Sequence, residues 1–99
     1  MSYYSRKQRS NLRSLAQTIQ PITQVGKGGI SENLIKSLSE ALEARELIKV
    51  SVLNNNDDDP KYIAQELAEA LNAEVVAVTG KKIVIYRKSS KKDFKHIEY

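Results

Sequence analysis

The sequence predicts an α/β fold of order α-β-α-β-α-β-β, in two layers, with helices packed on a four-stranded mixed sheet. Three observations lead there. Apolar residues recur at i, i+3 and i+4 in three segments, each marking one buried helical face. Apolar runs at residues 22–25, 47–53, 74–79 and 82–87 read as strands and alternate with those segments. The last two runs are joined only by Gly80-Lys81, the tight turn of a β-hairpin. Strand–helix–strand units favour parallel pairing through right-handed crossovers, whereas a hairpin is antiparallel. Strand order 1-2-4-3 satisfies both. It lays the two crossover helices on one face and puts the most apolar strand, Ile83-Val84-Ile85-Tyr86, inside the sheet.

The first helix is expected from about Ser5 to Gln20, with Leu12, Leu15, Ala16 and Ile19 on one face and Pro21 as its stop. Arg6, Arg9 and Arg13 stand at i, i+3 and i+7. They cluster within roughly 60° of arc on another face. Ile22 to Val25 forms a short strand ending at Gly26. Ser31 is a good N-cap for a second helix from about Glu32 to Ala44, and Ile30 and Ile35 hold the positions of a hydrophobic staple. Leu34, Ile35, Leu38, Ala41 and Leu42 form its apolar stripe. Leu47 to Leu53 reads as a largely buried strand, and residues 54–59 as a polar loop. Asp59 followed by Pro60 starts a third helix, as N-cap and first-turn proline. Ile63, Leu67, Ala70 and Leu71 mark its buried face, and it ends near Asn72. Glu74 to Thr79 and Lys82 to Arg87 complete the sheet. A single domain over residues 1–88 is expected, with 89–99 a basic, mobile tail.

Ninety-nine residues allow one domain with one modest core. With no cysteine, disulfides, cysteine–zinc sites and thiol catalysis are excluded. No apolar run approaches the roughly 20 residues of a membrane span, and the first residues lack the apolar core of a signal peptide. A cytoplasmic protein is the expectation. The charge is segregated: residues 1–29 carry five Lys/Arg and no acid, 30–80 carry four against ten acids, and 81–99 carry seven against two. Two ends of +5 flank a middle of −6. If the ends meet in the fold they make one basic surface, as a polyanion site requires.

The segment Val25-Gly26-Lys27-Gly28-Gly29-Ile30-Ser31 holds three of the four glycines. A glycine-rich, lysine-bearing turn leading into a helix suits a phosphate backbone. Glycine permits positive φ and close approach, the helix start offers unpaired N–H groups, and Lys27 adds a mobile charge. Glu32 counts slightly against the site, since it places an anion nearby. An enzyme finds little support. His96 is the only histidine, no nucleophile–base pair stands out, and Asp57-Asp58-Asp59 reads as a solvated turn without a second metal-ligand cluster. No cofactor and no metal are expected.

These residues resemble the CRM domain, named for chloroplast RNA splicing and ribosome maturation, and in particular its stand-alone bacterial form, the YhbY-like RNA-binding proteins. The likeness is carried by Lys7-Gln8-Arg9 with Leu12-Arg13-Ser14-Leu15-Ala16, by Val25 to Ile30, by Ala41-Leu42 and by Glu46-Leu47-Ile48-Lys49-Val50. Gly80-Lys81 and Ile85-Tyr86-Arg87 close it. The resemblance implies a fold similar to the C-terminal domain of translation initiation factor three. It also implies binding to structured RNA, in bacterial members ribosomal RNA of large-subunit precursors. The family's GxxG loop, likened to that of KH domains, falls on Gly26, Lys27, Gly28 and Gly29. Gly28 is a third glycine in that loop and is expected to loosen it. The aspartates at 57–59 make the second crossover loop unusually acidic, so RNA is not expected there.

The expected RNA-binding residues are therefore Gly26, Lys27, Gly28 and Gly29 with Arg6, Arg9 and Arg13, joined by Lys81, Lys82 and Arg87 if the hairpin lies alongside. Tyr86 is assigned to the core. Tyr3 and Tyr4 could stack on bases but fit an unstructured N-terminus better. Lys49 is read as a snorkelling residue at a sheet edge and is not assigned to RNA. Two alternatives stay open: a basic DNA-binding protein of the Alba type, and a protein-binding scaffold with solubilising ends. The long arginine-bearing helix ahead of the first strand, and GxxG directly after that strand, argue against the Alba type.

Overall fold

The computed structural model describes residues 6–53, 59–91 and 95–97. Its elements are α1 (Arg6–Ala16), β1 (Thr23–Val25), α2 (Glu32–Arg45), β2 (Leu47–Val52), α3 (Pro60–Leu71), β3 (Glu74–Thr79) and β4 (Lys82–Tyr86). The expectations for Ser5, Tyr3, Tyr4, Asp57 and Asp58 lie outside the described residues.

The sheet has the expected order β1-β2-β4-β3. β1 runs parallel to β2, with Thr23 opposite Val50 and Val25 opposite Val52. β2 is antiparallel to β4, and β4 to β3. Side chains alternate across a strand, so the sheet has two faces, one covered by two helices and the other covered in part by one. On one face Val25, Ile48, Val50, Val52, Ile83 and Ile85 pack with Leu38 and Leu42 of α2 and Ile63, Leu67 and Leu71 of α3. On the other, Leu47, Val76, Val84 and Tyr86 pack with Leu12 and Ala16 of α1. The expected two layers hold for the sheet with α2 and α3; α1 adds a partial third layer opposite them. Tyr86 is core, 1% exposed.

Between β3 and β4, Val75 faces Ile85 and Ala77 faces Val84, so Val76 is the extra residue of a β-bulge. The bulge turns two successive residues, Val76 and Ala77, toward α1.

Local chemistry sets the helix ends. Ser31 Oγ accepts from the Leu34 N–H at 3.1 Å, and Ile30 and Ile35 both pack on the α2–α3 core. Asp59 Oδ1 accepts from the Lys61 N–H at 2.9 Å, ahead of Pro60. At the end of α3, Asn72 takes φ +53. The Ala73 N–H reaches Ala68 O and the Asn72 N–H reaches Glu69 O, a Schellman closure with asparagine in the place glycine usually holds.

α1 ends at Ala16, four residues short of the expected end at Gln20. Tighter bonds from the Gln17 N–H to Ser14 O and from the Ile19 N–H to Ala16 O take over there, and the Thr18 hydroxyl donates to Leu15 O. The helix is therefore closed before Pro21 acts on it. Leu15, expected on the buried face, is 42% exposed.

Residues expected in a tail make specific contacts with the C-terminal end of α2. The Ser89 N–H donates to Glu46 Oε2 and the Ile97 N–H to Glu46 Oε1, both at 2.7 Å. The Ser89 hydroxyl donates to Glu43 O, and Ile97 packs beside the α1-side core. At these residues the segment after 88 is part of the domain's contacts rather than a free extension. None of the described helices is long and apolar enough to cross a membrane.

Candidate nucleic-acid interface

The glycine-rich turn sits at the C-terminal end of β1. The Gly29 N–H donates to Gly26 O at 3.0 Å, closing a four-residue turn around Lys27 and Gly28. Gly29 takes φ +70, a conformation that favours glycine. Gly28 has no positive φ, and a Cβ there would meet nothing within 4 Å. The backbone geometry therefore requires glycine at 29 but not at 28. Lys27 and Gly28 are both exposed, just ahead of the Ser31 cap of α2.

The sheet register brings the hairpin turn to the same end. The Leu53 N–H donates to Val25 O, and the Val52 N–H to Lys81 O. The end of β2 is thus flanked by the glycine turn on one side and by Lys81 on the other. Two strand spacings separate those flanks, about 10 Å, within the span of two flexible lysine side chains.

Register also fixes what shares the α1 face. Gln24 lies opposite Ser51, Ser51 opposite Lys82, and Lys82 opposite Thr79. Lys82 Nζ donates to Ser51 Oγ at 3.0 Å. This polar row crosses the part of the sheet that α1 leaves uncovered. Beneath α1 the row opens into a cleft bordered by Arg13, Lys49 and Lys82. A second, shallower cleft runs from Pro21 and Gln24 to Ser51 and the same Lys82. No carboxylate is among the described residues lining either cleft.

The structure thus joins Gly26, Lys27, Gly28, Gly29, Lys81 and Lys82 at one end of the sheet, and Arg13 meets Lys82 across the cleft. Half-buried Arg9 and exposed Arg6 continue the Arg13 stripe toward the start of α1. Arg87 is a correction. It lies on the α2–α3 side, where its guanidinium donates to Leu71 O, Ser39 O, Ser39 Oγ and Glu43 Oε2 at 2.9–3.3 Å. Every one of these bonds is internal, so Arg87 ties the helices to the sheet and does not face the others.

Lys49 is the residue sequence reasoning passed over. β2 lies between β1 and β4, so Lys49 is central in the sheet and not at an edge. The available signal was its place in Leu47-Ile48-Lys49-Val50-Ser51. It alternates with Leu47 and Ser51 onto the face that is only partly covered.

A carboxylate cluster marks the other side of the molecule. Glu46 is fully buried at φ +66. Burial pushes its carboxyl up, but hydrogen bonds from His96 and from the amides of Ile97 and Ser89 outweigh that and hold it below the usual carboxylate range. Glu43 is also held low, chiefly by its hydrogen bond from the Ser90 hydroxyl against the opposing effect of burial, with the Ser90 amide and Arg87 adding to it. Among the described residues no group of three or more His, Cys, Asp or Glu could hold a metal ion.

A family model described as the CRS1 / YhbY (CRM) domain matches residues 5–87. The chain is 49% identical over 92 residues to "Probable RNA-binding protein YqeI" of Bacillus subtilis, covering 93% of this chain and 94% of that one. It is 41% identical over 83 residues to "Probable RNA-binding protein MJ0652" of Methanocaldococcus jannaschii, covering 82% and 61% respectively. The solution structure of the hypothetical protein SAV1595 from Staphylococcus aureus superposes with a TM-score of 0.74 at 56% identity, covering 88% of this chain and 91% of that one.

Proposed function

Because the chain belongs to the CRS1/YhbY (CRM) domain family, we propose that it is an RNA-binding protein whose ligand is ribosomal RNA in precursors of the large ribosomal subunit. The observation that carries this reading is the convergence of the glycine turn, Lys81, Lys82 and Arg13 on one side of the sheet, where no carboxylate is among the described residues lining either cleft. Relatives named as RNA-binding proteins support RNA as the ligand. Family membership over residues 5–87 also displaces the Alba-type alternative.

In this mechanism the amides of Lys27 and Gly28 and the Lys27 ammonium hold one or two phosphates ahead of α2. Lys81 and Lys82 take the neighbouring phosphates across the end of β2, and Arg13, Arg9 and Arg6 extend the contact along α1. Such contacts position the backbone and carry little sequence information. Specificity then comes from RNA shape and unpaired bases.

The test uses Lys27→Ala combined with Gly28→Asp. Position 28 has neither positive φ nor a crowded Cβ, so the change leaves the fold intact. We expect the variant to melt like the parent and to leave the large-subunit precursor fractions of a sucrose gradient. Unchanged co-sedimentation of the folded variant would refute the loop mechanism.

A further inference from the structure

We infer that the cleft between α1 and the sheet is a pocket for a single unpaired nucleotide of the bound RNA. The inference rests on the RNA-binding reading and adds what that reading lacks, a place where a base is recognised.

The cleft has a volume of about 360 Å³, near the lower end of the ~300–1,000 Å³ typical of sites that enclose a small ligand. Three cations border it: Arg13 from α1, Lys49 from β2 and Lys82 from β4. Its apolar lining is Ala77 and Val84 on the sheet, which make the floor, and Ala16 on α1 above them. Gln17 and Thr79 supply a side-chain amide and a hydroxyl at its sides. The occupant this combination fits has an anion, a flat apolar body and a hydrogen-bonding edge, which together describe a nucleotide. The phosphate meets the cations, the base lies on the alanine–valine floor, and the amide and hydroxyl read its edge. An Arg guanidinium plane is itself a stacking partner for an unstacked base, so Arg13 serves both phosphate and base.

The occupant is unpaired because the cleft lies under a helix. An A-form duplex cannot enter it, whereas a base splayed from a bulge or loop can. It belongs to the strand held at the glycine turn, because the row Gln24–Ser51–Lys82 runs from that turn to the cleft without an acidic residue. This gives Lys49 a function: a lysine in the middle of an apolar strand lines a nucleotide site.

The experiment compares two RNA hairpins of equal length and charge, one fully paired and one with a single bulged nucleotide carrying 2-aminopurine. Parent protein is expected to bind the bulged hairpin about tenfold more tightly, the scale of one stacked base, with a change in 2-aminopurine fluorescence. Ala77→Met fills the cleft without altering charge, and Lys49→Met removes its central cation. Each is expected to bring the bulged hairpin to the affinity of the paired one, which itself stays unchanged. Lys27→Ala weakens both hairpins alike. Thermal melts identify folded variants, and Lys49→Met decides the matter if Ala77→Met does not fold. Equal affinities in the parent, or a preference that survives in folded Lys49→Met, overturn the pocket. Failure of the parent to bind either hairpin at low salt overturns the RNA-binding reading itself.

Discussion

At the scale of the residue, Glu46 shows how a buried charge is tolerated. Its carboxylate is fully out of solvent and accepts from the amides of Ser89 and Ile97 and from the His96 ring. Removing one partner of such a set leaves buried donors unmet, at about 1–3 kcal/mol each. Glu46→Ala is therefore expected to lower the thermal midpoint by about 10 °C or more, since 1 kcal/mol is worth roughly 4–8 °C in a domain of this size. An unchanged midpoint in a melting experiment would refute the role. The pH dependence follows from the same bonds. Both Glu43 and Glu46 are held below their ordinary value in the folded state. Their contribution is thus complete above the ordinary carboxylate range and is lost as pH falls through the lower folded-state values. Acid melts should show destabilisation setting in below about pH 4.5, and Glu46→Gln should flatten part of that slope. None of this was legible in the sequence. Glu46 and His96 lie 50 positions apart, and a patternless lysine-rich segment gives no sign that its backbone amides dock on a carboxylate.

At the scale of the element, what was legible was what local chemistry decides. The Ser31 and Asp59 caps, Pro60, the Gly80-Lys81 turn and the apolar alternation of β2 and β4 place five elements within a residue or two. What escaped depends on packing between elements. The face that α1 covers is not written in its own periodicity, because Leu12 and Ala16 would be buried equally well on either side of the sheet. The end of α1 depends on a terminal turn that Thr18 and Ile19 complete. Arg87 belongs to the same class. Read along the chain it extends a basic hairpin, but at the end of β4 it points to the face of Ile83 and Ile85 and reaches Ser39, Glu43 and Leu71. A lysine cannot reproduce that fork. Arg87→Lys is expected to cost about 1–3 kcal/mol of stability while leaving RNA affinity at a permissive temperature unchanged. A loss of affinity without a loss of stability would return Arg87 to the interface.

At the scale of the whole molecule, the segregation of charge along the chain becomes a segregation in space. Lys27, Lys81 and Lys82 gather at one end of the sheet, with Lys49 and Arg13 on the α1 face beside it. Glu40 of α2 and Glu66 and Glu69 of α3 belong to the helical layer on the other face. These three acids of the charge middle are thus folded away from the basic face, and net charge alone understates what a polyanion meets there. Salt dependence separates a defined face from general basicity. Each phosphate contact contributes about −0.7 to the log–log slope of affinity against salt on single strands and about −0.9 on duplex. Arg9→Glu with Arg13→Glu is expected to make the slope shallower by about 1.4–1.8 and to weaken binding across unrelated RNA sequences. Glu66→Lys with Glu69→Lys changes the net charge by the same amount in the opposite sense, but on the far layer. The added lysines lie beyond the phosphates, and charges separated by more than the ~8–10 Å Debye length are largely screened, so the slope should not move. If the α3 pair steepens the slope as much as the α1 pair flattens it, the protein responds to bulk charge and the basic face is not a site. If neither pair moves it, the contacts lie in the glycine turn and hairpin alone, and α1 serves only to roof the sheet.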